Sequence, residues 1–169
     1  MFLDRVVAAS SVALLALGCN RERTARHEAL AKVLAAPATL LCGESKEGGG
    51  CYADCQTRNA ADHGASVVAA AKLVSSIPTF ADPETEALLA DVRAAGELAH
   101  ESLVAACPKR IDTSGPIGPE VERCAEAARA HRARIDAFID AFQRLTTGAR
   151  ERTGVEMPEA WQPCPPSSP

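Results

Sequence analysis

Cys124, Ala128, His131, Ile135, Phe138, Phe142 and Leu145 recur at intervals of 4-3-4-3-4-3. An alternation of threes and fours keeps every member on one stripe of an α-helix, and no strand can place them on one face. The same spacing recurs upstream. Ala60, His63, Val67, Ala70, Val74 and Ile77 form a second stripe, on a helix expected from about Cys51–Asp54 to about Ser76. Leu89, Val92, Gly96, Ala99, Leu103 and Ala106 form a third. Asp82-Pro83-Glu84 supplies the start of that third helix: a side-chain cap, proline at the first helical position and acid in the first turn. Cys107-Pro108 ends it.

His27, Leu30, Leu34 and Leu41 mark a first helix, with Thr24 as its expected N-cap and Pro37 expected to end or kink it near Ala36. The fourth helix is expected from Pro119-Glu120 to about Thr147, with Gly148 past its end. Gly48-Gly49-Gly50 and Gly115-Pro116 punctuate the connections. No strand alternation and no internal repeat is seen. The expected fold is all-α: an antiparallel up-down four-helix bundle over residues 24–147, with disulfide-tied loops and a proline-rich C-terminal tail over 148–169. Alanine is abundant and aromatics are few, so the helices are thin and each buried residue contributes modest area.

The first 23 residues have a different character. Met1–Arg5 carries one base, Val6–Leu17 carries no charge, and Gly18-Cys19 is followed at once by Arg21, Glu22 and Arg23. A basic start, an apolar run of about a dozen residues and a small residue describe a secretory signal, and the run is shorter than the roughly 20 residues of a spanning helix. With a cysteine directly after the small residue, the segment resembles the lipobox of bacterial lipoproteins. Leu17 and Gly18 fit that pattern, while Ala16 stands where leucine is commoner. The resemblance covers residues 1–19 alone and implies cleavage before Cys19, a diacylglyceryl group on its thiol and acyl chains of the palmitate type. It also implies that Asn20, in place of an aspartate, directs the protein to the periplasmic face of the outer membrane in preference to the inner membrane. The alternatives are an ordinary cleaved signal with Cys19 in a disulfide, or a short N-terminal core helix. Asn20–Arg23 is expected as a short tether, reaching less than about 20 Å.

The cysteine count agrees with the lipobox. Seven is odd, which a secreted protein must account for. A lipidated Cys19 leaves Cys42, Cys51, Cys55, Cys107, Cys124 and Cys164, an even set suited to an oxidising compartment. Up-down topology places the first five at one end of the bundle, and Cys164 can return there, since about 16 residues span roughly 50 Å when extended. The expected pairing is Cys107–Cys124, with Cys42 to Cys51 or Cys55 and Cys164 to the one left over.

The formal net charge of −4 is spread along the chain without a basic block, which gives no support for nucleic-acid binding. Cys51-x-x-x-Cys55 lacks the two-residue spacing of a redox pair. The glycine run lacks the lysine of a phosphate loop, and no serine stands in a nucleophile elbow. His63, His100 and His131 lie seven or eight residues from Cys55, Cys107 and Cys124, so a level cysteine end would bring three imidazoles to one layer. His27 lies further from its helix end and stands apart. The functional expectation is a non-catalytic, membrane-anchored envelope lipoprotein with a binding or structural role and no cofactor. Its partners are the membrane, through the lipid on Cys19, and an envelope protein. The alternative is a metal- or haem-binding bundle using His63, His100 and His131.

Overall fold

The computed structural model describes residues 4–42, 57–80, 82–107 and 117–157, with the side chains of the first helix described from Arg21 onward. Cys51, Cys55 and Cys164 lie outside the described residues, as do the side chains of Cys19 and Cys42. The described residues form five helices and no strand: α1 (Asp4–Cys42), α2 (Thr57–Ser75), α3 (Pro83–Leu103), α4 (Pro119–Ala130) and α5 (Arg132–Thr153).

Five local expectations are corrected. Thr24 and Asn20–Arg23 lie inside α1, which also runs through Pro37 to Cys42. Pro37 removes one N–H from the helical ladder. Leu34, Ala38 and Leu41 are nonetheless all buried around it, and burial of that stripe outweighs one lost hydrogen bond. The fourth helix is two helices, because His131 leaves helical geometry at φ −107°, ψ 22°. Its carbonyl then accepts from both Arg134 N (3.0 Å) and Ile135 N (3.2 Å), so the ladder tightens for one step before resuming. The break lets one run of sequence serve two neighbours: α4 packs chiefly on α2, and α5 chiefly on α3. Finally, α5 continues through Gly148 to Thr153. The stop is Gly154, at φ 69°, a left-handed conformation in which glycine carries no Cβ penalty.

The start of α3 forms as its residues dictate. The Asp82 carboxylate accepts from Thr85 N at 3.1 Å and from the Thr85 hydroxyl at 2.5 Å, with Pro83 at the first helical position. The connection from α2 is tied back by Glu86 and Arg93. Glu86 accepts from Phe80 N and from Arg93 Nη1 (2.7 Å), and Arg93 Nη2 donates to the carbonyls of Ile77 (2.8 Å) and Pro78 (3.2 Å).

The stripes turn inward. Phe138, Phe142, Ile135 and Leu145 of α5 are fully buried with Leu89, Val92 and Leu103 of α3, Val67 and Val74 of α2, and Leu30, Leu34 and Leu41 of α1. Each such side chain contributes about 1.5–3 kcal/mol relative to exposure.

Candidate functional site

Cys107 and Cys124 are bridged, with Cα atoms 4.4 Å apart. The bridge lies on α2 at Gly64, where an added Cβ would fall 2.8 Å from the Cys107 sulfur and 3.1 Å from the Cys124 sulfur. The Cys124 sulfur also touches the Ala61 carbonyl oxygen at 3.3 Å. The disulfide therefore ties α3 to α4 and seats both on α2.

His63, next to Gly64, is buried. Burial pushes its pKa down to about 4; the Arg132 guanidinium acts in the same direction and Asp136 opposes it. The ring is neutral near neutral pH, the form in which imidazole ligates metals. Yet among the described residues no three His, Cys, Asp or Glu side chains are grouped to hold a metal ion. His63, His100 and His131 do not form a three-ligand set. The break at His131 is one reason: it takes this residue out of the straight stripe on which level placement depends.

The opposite end of α3 carries the more distinctive chemistry. The middle of α1, the α2–α3 connection and the start of α3 line a cleft of about 510 Å³. Its walls are Glu22, Arg23, Arg26, His27, Phe80, Asp82, Pro83 and Glu84. His27 is 1% exposed, and its ring lies 5.8 Å from that of Phe80, tilted by 58°. Burial lowers the His27 pKa; Asp82 raises it, and Arg23 and Arg152 lower it further. Asp82 is held below the ordinary carboxylate range chiefly by the Thr85 hydroxyl.

Arg152, near the end of α5, reaches this end of α3. Its Nη2 donates to the Thr85 hydroxyl at 2.9 Å, while its Nε stands 4.0 Å from Asp82 and 3.7 Å from Glu84. Among the described residues, two buried side-chain nitrogens have no hydrogen-bond partner: His27 Nδ1 and Arg152 Nε. Both belong to the same cluster around Asp82. Buried polar atoms are normally satisfied, so two orphans in one place mark it out.

On the sequence, His27 is visible as a stripe residue, but its surroundings are not. Arg152 falls beyond the expected helix end, and nothing in the spacing announces that Phe80 and Asp82 meet His27. The cleft offers charges of both signs and a neutral imidazole, which suit binding. No family model matches the chain, and no curated protein or solved structure is significantly similar to it.

Proposed function

We propose that this chain is a lipid-anchored protein of a bacterial envelope with a non-catalytic binding or structural role. The observation that carries this reading is the uncharged run Val6–Leu17 closed by Gly18-Cys19, together with six further cysteines that become an even set once Cys19 is acylated. Among the described residues no helix is long and apolar enough to cross a membrane. In this reading attachment rests on the acyl chains. Two or three of them anchor stably at about 0.8 kcal/mol per buried methylene.

The helices are read as an up-down bundle in which α4 and α5 together form the fourth rod. His27–Phe80 and Arg152–Thr85 join elements at one end, and Cys107–Cys124 and Gly64 join them at the other. With α1 helical through Cys19, the lipid lies about 12 Å along the axis from His27. The His27 cleft then faces the membrane, and the disulfide end is distal. Cys42, Cys51, Cys55 and Cys164 complete the bridges at that distal end, and the periplasmic face of the outer membrane is the proposed location.

Two measurements test the anchor. Globomycin should block processing of the precursor, and Cys19→Ser protein should leave the membrane fraction. Unchanged processing and unchanged partitioning would remove the anchor from the account.

A further inference from the structure

We propose that the His27 cleft binds a small zwitterion, an oxyanion joined to an ammonium, of the kind carried by an aminophosphate lipid head group. The proximity to the membrane rests on the lipid-anchor reading; the chemistry of the cleft does not.

Three observations converge on this ligand class. The first is hydrogen bonding. His27 Nδ1 and Arg152 Nε are both buried and both without a partner. An arginine Nε is only a donor, and a neutral imidazole donates through Nδ1 in one of its two tautomers. Arg152 Nε lacks an acceptor, and so does His27 Nδ1 in its protonated tautomer; a phosphate or carboxylate oxygen is one.

The second is charge. Arg23 and Arg26 of the cleft wall, and Arg152 beside Asp82 and Glu84, are matched by Glu22, Asp82 and Glu84, with His27 neutral. A polyanion or a simple cation would meet like charge on one side, whereas a molecule bearing both signs meets its complement on each. The existing pairs are loose enough to exchange. Arg26 to Glu22 is 3.6 Å and Arg152 to Glu84 is 3.7 Å, both longer than a hydrogen bond.

The third is size and place. A cleft of about 510 Å³ admits a head group and excludes a folded partner. Under the anchor reading it lies within about 12 Å of the acylated cysteine along α1.

The test titrates the full chain, in detergent micelles, with O-phosphoethanolamine while the His27 ring signals are followed by NMR. The expected result is a saturable shift of those signals. Inorganic phosphate or ethanolamine alone should bind about tenfold more weakly, because each meets half of the charge pattern. Arg23→Gln, at an exposed position that leaves the core intact, should weaken binding about fivefold. His27→Gln, with helicity checked by circular dichroism and binding read from the phosphorus signal of O-phosphoethanolamine, should weaken binding about tenfold.

Vesicles of phosphatidylethanolamine and of phosphatidylglycerol separate the sources. Preference for the first assigns the ligand to the membrane, and binding of the soluble compound without that preference assigns it to a free zwitterion. Absence of any shift in the His27 signals would overturn the proposal, and equal binding of phosphate alone would overturn its zwitterionic part. The readout does not depend on acylation. An unlipidated protein that binds leaves the cleft standing, and a lipidated protein that does not bind removes the cleft alone.

Discussion

Gly64 lies directly beneath Cys107: a Cβ on the glycine would come within 2.8 Å of the cysteine sulfur. A bridged sulfur cannot rotate away as a free thiol can, so the α2 backbone must move instead. Gly64→Ala should destabilise the fold by about 1–3 kcal/mol, read as a lowered urea midpoint. The penalty should shrink in the Cys107→Ala/Cys124→Ala background, and an equal loss in both would show that the bridge is not the obstacle.

The bridge itself closes a loop of 17 residues. Its removal should cost about 3 kcal/mol through the unfolded chain. Thermal unfolding of the double variant measures this, and an unchanged Tm would contradict it.

Acid should weaken the fold through His63. Its folded pKa is about 4 against an ordinary 6.5. Above pH 6.5 both states are neutral at this ring and it contributes nothing to the pH dependence. Below that, the unfolded chain takes up a proton that the folded chain refuses, so stability falls. The fall ends near pH 4, where both states are protonated, after a loss of about 3 kcal/mol. His27, also lowered, acts in the same direction. Urea midpoints between pH 7 and 4 should decline, and His63→Gln should flatten part of the decline; parallel curves for the two proteins would contradict the assignment.

Arg93 holds the α2–α3 connection through Glu86 and the carbonyls of Ile77 and Pro78. Arg93→Ala should cost about 1–2 kcal/mol and speed hydrogen exchange at the Phe80 amide, which donates to Glu86. Unaltered exchange at Phe80 would count against the clamp.

Much of the helix content is legible in spacing alone. Ile135, Phe138, Phe142 and Leu145 follow from periodicity and are all fully buried. Asp82 and Pro83 announce the start of α3 by the chemistry of their side chains, and the Cys107–Cys124 bridge follows from placing two helix ends together. What spacing cannot carry is tertiary choice. His131 has no proline or glycine beside it, and its break reflects the change from packing on α2 to packing on α3. Pro37 and Gly148 are local stop signals overruled by the buried residues around them. The cleft is illegible for the same reason, since it brings His27 of α1 to Phe80 and Asp82, with Arg152 of α5 beside Asp82.

The central claim, that Cys19 is the lipidated first residue of a membrane-anchored protein, is tested most directly by mass spectrometry of the N-terminal peptide of the protein isolated from its native envelope. The account predicts a peptide beginning at Cys19 with a diacylglyceryl mass on its thiol. A peptide carrying residues 1–18, or an unmodified Cys19 joined to another cysteine, would contradict it.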